Sequence, residues 1–259
     1  MTRLVINADD LGLSDGICKA IVELMDSGAV SSSSFMVAAP GAAERAKRWH
    51  LESYQGRVGV HLQLTGWGKP VADLKRVPSL IHNETLMFGS KEHLLRTNPE
   101  EVEVEWTRQI ELTGDLLGGP PSHLDSHHGV HRSPHLVDTF LSLAKRYELP
   151  IRSGSPELDA KMRSLHVRGP EKVIREWTGR SMGVSGIREL LNSAVSVPLP
   201  PDGIVLVSHP GYCDDELLSI STLNTAREGD RIALAELRST NWLGRNGFEL
   251  VSYSSFQAG

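Results

Sequence analysis

The chain has 259 residues and a formal net charge of -5, with a pI near 6.1. Nucleic-acid and anionic-membrane binders need a basic surface to neutralise phosphate, so neither partner is expected. Two cysteines, Cys18 and Cys213, are too few for a disulfide framework and fit a reducing compartment. The length suits an α/β barrel built as one unit. Leu4-Val5-Ile6 opens the chain as a short apolar run that stops at Asn7. It is too short for the core of a signal peptide, and no stretch approaches the roughly 18 apolar residues of a membrane span. The expectation is a cytoplasmic protein.

Leu4–Ala8 reads as a buried strand. Asp15–Ser27 reads as a helix, with Ile17, Ile21, Leu24 and Met25 on one face and Gly28 just past its end. Ser33–Ala39 is a second strand, overlapping the serine run Ser31–Ser34, and Ala42–Leu51 a second helix. Val58–Leu64 is a third strand. Residues 65–98 have no clean period and carry Gly66, Gly68, Pro70 and Pro78, so they form an irregular excursion of the sort that lids and binding loops use. Asn98-Pro99-Glu100-Glu101 is a strong helix start, and that helix runs to about Leu117. His123–Ser126 ends a strand. Ser133-Pro134 starts a helix to about Tyr147, and Pro150–Arg152 is a short strand. Pro170–Gly179 and Gly183–Ser193 look helical, Ile204–Ser208 is a buried strand, Thr222–Trp242 is helical, and Phe248–Ser252 is a last strand. About seven strands alternate with helices and no composition shift marks a boundary. The expectation is a single α/β domain over 1–259, a distorted or incomplete (β/α) barrel, with an open doubly wound sheet as the alternative. No glycine fingerprint for a dinucleotide follows the first strand.

Polar residues cluster at the carboxyl ends of these strands, where βα barrels build their sites. Asp9 and Asp10 end the first, His61 the third, Asp125 and His127 the next, and His209 follows Ile204–Ser208. Five of the eleven histidines fall between His123 and His135. Histidine is the commonest metal-ligand side chain, and an aspartate beside it can fix its second nitrogen. The alternative reading of the cluster is a solvated histidine-rich loop, or one structural histidine with bystanders. Asp9 and Asp10 repel one another unless a cation or a shared proton intervenes; one can bind a metal while its neighbour acts as a base. An N-cap role is the alternative, although Ser14-Asp15 lies nearer the helix start. His61 alone reads more readily as a satisfied core histidine than as a ligand, and gains weight only beside the other two segments. His209 sits before Pro210-Gly211, a turn that leaves its ring at the strand mouth, free to serve as an acid. Trp67, in the excursion near His61, can stack on a sugar, whereas Cys213 reads as structural.

Four segments, Asn7-Ala8-Asp9-Asp10-Leu11-Gly12, Gly59-Val60-His61-Leu62-Gln63-Leu64-Thr65, Ser122–His131 and Ser208-His209-Pro210-Gly211, together resemble the YdjC-like carbohydrate deacetylases, which include chitooligosaccharide deacetylase. The resemblance runs in order from about residue 3 to residue 255. It implies a distorted βα barrel, one divalent ion (Mg2+ or Zn2+) held by Asp10, His61 and His127, Asp9 as base and His209 as acid. It also implies an acetylated amino sugar or chitooligosaccharide-like substrate, losing its acetyl group by hydrolysis. Gly129 stands where the family pattern has a third consecutive histidine, which bears on substrate contacts in that loop. Leu11 replaces a common phenylalanine, a packing change. Two other functions are weighed beside this one. A metal-dependent phosphoesterase would need extra ligands and a phosphate clamp, for which Arg132 and Arg152 are available. A non-catalytic sugar-binding protein would be expected to have lost one of Asp9, Asp10, His61, His127 or His209. A homodimer is the default assembly.

Overall fold

The computed structural model describes residues 1–82, 87–170, 172–178, 182–195 and 203–257. Strand β1 (Thr2–Leu11) is followed by α1 (Asp15–Asp26), β2 (Ser32–Phe35), α2 (Ala42–Arg48) and β3 (Val58–Leu62). The excursion then contributes a small antiparallel pair, β4 (Ile81–His82) with β5 (Met87–Phe88), and the short helix α3 (Lys91–Leu94). Residues 83–86 of it lie outside the described residues. The long helix α4 (Pro99–Leu117) leads to β6 (Leu124–Ser126), α5 (Val137–Arg146), α6 (Pro156–Leu165), β7 (Lys172–Ile174) and α7 (Gly183–Val195). Strand β8 (Ile204–Ser208), α8 (Asp215–Ile220), α9 (Ala226–Ser239), α10 (Trp242–Arg245) and β9 (Phe248–Leu250) complete the chain.

The main sheet runs β6-β3-β2-β1-β8-β7, with β9 added to β1, and every pairing in it is parallel. It is an α/β incomplete barrel, whose path ends at β6 and β7. β1 is the hub. Leu4, Val5 and Ile6 are fully buried because helices and sheet cover both faces of a central parallel strand. Each such side chain contributes about 1.5–3 kcal/mol of burial. One part of the core gathers β1, β2 and β8 with α1, α7 and α9; another gathers β3 and β6 with α4 and α5. Among the described residues, no helix is long and apolar enough to cross a membrane.

Helix boundaries follow their caps. Ser14 accepts from Ile17 N at 3.3 Å and starts α1; Asn98 accepts from Glu100 N at 2.9 Å and starts α4, which ends at Gly118 with φ 70°. Two expectations are corrected, and one helix is added. Pro170–Gly179 is not a helix: within its described residues, Lys172–Ile174 pairs with Ile204–Leu206 as β7. Val173 and Ile174 are β-branched, and a free sheet edge recruits them more strongly than local pattern suggests. Pro150–Arg152 makes only one bridge, Ile151 to Leu124. Helix α6 was not foreseen, although Ser155-Pro156-Glu157 is a good start; only Leu158 and Met162 of it are buried, too sparse a stripe to read. In addition, α5 begins at Val137 rather than at Ser133-Pro134, and Thr222–Trp242 divides into α9 and the first residue of α10, with α8 before it.

Candidate active site

Consecutive residues of a regular strand point to opposite faces. Asp9 and Asp10 nevertheless both line one cavity of about 790 Å³. The break in alternation is visible in the backbone. Asp10 has φ 68°, a left-handed conformation that Asp tolerates better than most residues, and the β1–β2 register shifts between Ala8 and Leu11. Both carboxylates are almost fully buried.

His61 and Asp125 are register partners on β3 and β6. Their side chains meet, His61 Nδ1 donating to Asp125 Oδ1 at 2.6 Å. That bond leaves His61 Nε2 turned towards Asp10 Oδ1, 3.3 Å away. His127, just past β6, brings Nδ1 to 3.1 Å from the same Asp10 oxygen. One ligand atom from each of Asp10, His61 and His127 lies within 4.8 Å of the others. Asp9 lies alongside, with Oδ2 3.9 Å from His61 Nε2 and 3.7 Å from His209 Nε2. All five residues singled out in the sequence therefore meet at one point.

Arginines frame them. Arg152 donates to both oxygens of Asp9, at 2.7 and 2.8 Å, and its Nη2 is also 2.8 Å from Asp125 Oδ2. Arg227 donates to Asp10 Oδ2 at 2.6 Å. Asn7 donates to Asp9, and Ser34 donates to Asp125 at 2.6 Å. The serine run Ser31–Ser34 is thus a buried polar layer. Burial alone would raise the three carboxyl groups, but Arg227 beside Asp10 and Arg152 beside Asp9 and Asp125 hold all three below the usual range. Burial lowers His61, yet Asp125, Asp9 and Asp10 overcome it and lift the imidazole to about 10. Burial dominates at His209 and pulls it down to about 4.

Charge and donor chemistry test whether a divalent ion fits. Asp9, Asp10 and Asp125 bring three negative charges, matched by Arg152, Arg227 and a protonated His61. An ion bound through His61 would displace that ring's proton and supply in its place the positive charge that the three carboxylates need. Two imidazoles and one carboxylate form a mixed donor set with open positions, as catalytic sites for zinc or other first-row and hard divalent ions have. The residues present fit such an ion.

The histidine-rich segment resolves into separate jobs. His123 is fully buried and stacks on Tyr253, with centroids 3.8 Å apart. His131 is held by Ser126, stacks on Phe140, and is pushed by burial down to about 3. His135 lies 3.0 Å, through Nε2, from the Leu94 carbonyl. Only His127 reaches the triad, with His128 beside it at a ring separation of 3.9 Å. Gly129 has φ 64°, and the Arg132 guanidinium fills the space where a Cβ at 129 would stand. Any side chain there would displace Arg132. Arg152, weighed above as a phosphate clamp, is engaged by Asp9 and Asp125 instead. Arg227 and Asp230 were missed. Asp230 Oδ2 accepts from the His209 backbone N–H at 3.0 Å. No motif precedes either residue; only their spacing on α9, one turn apart, hints at a shared face.

A parallel sheet whose carboxyl ends gather carboxylates and imidazoles around one cavity defines an α/β-barrel protein with a reactive site at its mouth. The chain belongs to the YdjC-like protein family, whose model matches residues 3–245. It is similar to the carbohydrate deacetylase of Thermoanaerobacter pseudethanolicus, 29% identical over 255 residues, covering 98% of this chain and 99% of that one. A carbohydrate deacetylase of Brevibacillus brevis is 30% identical over 258 residues, covering 97% and 98%. A crystal structure from Enterococcus faecalis, of a protein assigned to cellobiose-phosphate cleavage, superposes with a TM-score of 0.86 at 28% identity and covers 98% of each chain. The family 4 carbohydrate esterase of Streptomyces lividans, solved with acetate, shares the fold at a TM-score of 0.52 and 13% identity, covering 100% of this chain and 97% of that one.

Proposed function

We propose that this chain is a carbohydrate deacetylase: a metal-dependent hydrolase that removes the acetyl group from an N-acetylated sugar or oligosaccharide. Asp10, His61 and His127 hold one divalent ion, magnesium or zinc. The observation that carries the reading is their convergence on a cavity that Asp9 and His209 also line. The likeness to proteins named carbohydrate deacetylase supports the substrate class. The proposal treats residues 1–259 as one domain acting in the cytoplasm.

When bound, the ion supplies Lewis-acid activation, moving the pKa of water from about 15.7 towards 7 and polarising the amide carbonyl. Asp9 is the base. Arg152 keeps it ionised and holds its carboxylate still, so Oδ2 receives the proton of the attacking water. The water oxygen bonds to the acetyl carbon, the C–N bond breaks, and acetate leaves. His209 Nε2 stands 3.7 Å from Asp9 Oδ2, a short path for that proton. The neutral ring takes it up and passes it to the departing amine.

The position of Arg152 favours a single ion. Asp9, His61 and Asp125 form a second group of potential ligands, but the Arg152 guanidinium already bridges its two carboxylates. A two-metal phosphoesterase would need that place for a cation. The test pairs metal analysis with acetate release from acetylated amino sugars. Wild type should bind one ion per chain and release acetate, and chelation should abolish release. Asp9→Asn should keep the ion and lose about 10²–10⁴-fold in turnover. Undiminished release from that variant would remove the base role; sugar binding without any release would leave a binding protein.

A further inference from the structure

We propose that Trp67 is the stacking platform of a second sugar subsite, on which the pyranose ring next to the acetylated residue lies face-on. The proposal rests on the carbohydrate reading above. Trp67 is 47% exposed, and it is the one aromatic among the large apolar side chains left exposed among the described residues. It lines the same cavity as Asp10 and His127. Gly66, the residue before it, packs against the His127 ring. An indole next in sequence to a glycine that lies beside the His127 ring is placed to meet the unit adjoining the reacting one.

The backbone around Trp67 is held by buried polar side chains. Gln63 Nε2 donates to the Thr65 carbonyl at 3.3 Å and to the Trp67 carbonyl at 2.7 Å. Gln109 of α4 accepts from Gln63 N and donates to Gln63 O, both at 2.8 Å. Gln109 also donates to Glu105 at 2.7 Å, and Glu105 accepts from Val71 N and Ala72 N at 3.0 and 2.9 Å. Gln63, Glu105 and Gln109 are all fully buried. Gly68 sits so close to Ala38 O that a Cβ there would lie 2.8 Å from it. Residues 63–72 are thereby clamped at both ends and in the middle, and Trp67 is the only large apolar side chain they leave exposed. Among the described residues nothing accepts from its indole N–H. A rigid ring with an apolar face and a free donor suits a sugar, which offers C–H groups on one face and hydroxyls at its edge. Holding the ring in advance reduces the ordering cost of binding.

The test compares N-acetylglucosamine with its β-1,4-linked dimer, using metal-loaded protein. Acetate release gives kcat and KM, and quenching of indole fluorescence gives binding without chemistry. Trp67→Ala should raise KM for the dimer about tenfold, leave its kcat in place, and leave the monomer's constants unchanged. Trp67→Phe should recover most of the loss. The dimer should quench wild type more than Trp67→Ala. Equal losses on both sugars, no loss on either, or a change of oligomeric state in place of a KM effect would overturn the subsite. If the dimer quenches Trp67 but no acetate appears, the subsite stands and the deacetylase reading fails. If acetate appears and Trp67→Ala makes no difference, the reverse holds.

Discussion

Two stretches of β1, one towards each end, are equally buried and chemically opposite. Leu4, Val5 and Ile6 have no exposed surface; Asn7, Asp9 and Asp10, a few residues on, have 3% or less. At the first end burial is favourable in itself, and the strand is regular. At the second, burial is opposed by the loss of hydration of two carboxylates, and the strand bends out of alternation to carry them. Arg152, Arg227 and the imidazole of His61 make that end tolerable. The fold therefore invests its apolar half in stability and commits its polar half to a site.

The largest expected effect is on the polar half. Arg152→Met leaves Asp9 and Asp125 buried without their shared cation and should cost about 3–5 kcal/mol of stability. Urea unfolding measures it, and the deficit should narrow on acidification as the orphaned carboxylates take up protons. A loss below about 1 kcal/mol would mean that water reaches the pair. Next is Ile6→Ala in the apolar half, expected to cost about 2–5 kcal/mol by cavity formation. Turnover per folded molecule should be unchanged; a fall in it would join the two halves that the comparison separates. Glu105 gives the smallest effect. Among the described residues this buried carboxylate has hydrogen bonds but no ion pair, and burial raises its pKa. A folded pKa above the unfolded value of 4.5 stabilises fully below 4.5, and that increment is lost as pH climbs through the raised folded value. Glu105→Gln should remove this slope from a series of unfolding curves across the same window. An unchanged slope would assign it elsewhere.

The apolar half was legible because an apolar run between turn signals has few other uses. Leu4–Ala8 and Ile204–Ser208 emerged as adjacent parallel strands with Leu4 beside Ile204. The five residues that converge on the cavity could be picked out because each ends or follows a strand. What supports them was not. Asp10 and Arg227 are 217 positions apart, and nothing local marks an arginine on a surface-patterned helix as buried beside a carboxylate. Asp10's left-handed backbone is invisible to a period-two reading, which puts Asp9 and Asp10 on opposite faces. β7 was misread because three residues cannot display a period, and its identity comes from β8 next to it.

The bond between Arg227 and Asp10 also sets a timetable. Asp10 is made first, and its partner is added 217 residues later, roughly ten to forty seconds on at ordinary elongation rates. For that interval the nascent chain carries its carboxylate pair without the helix that restrains it. Shortened products ending before α9 would be inactive however well their first strands had assembled.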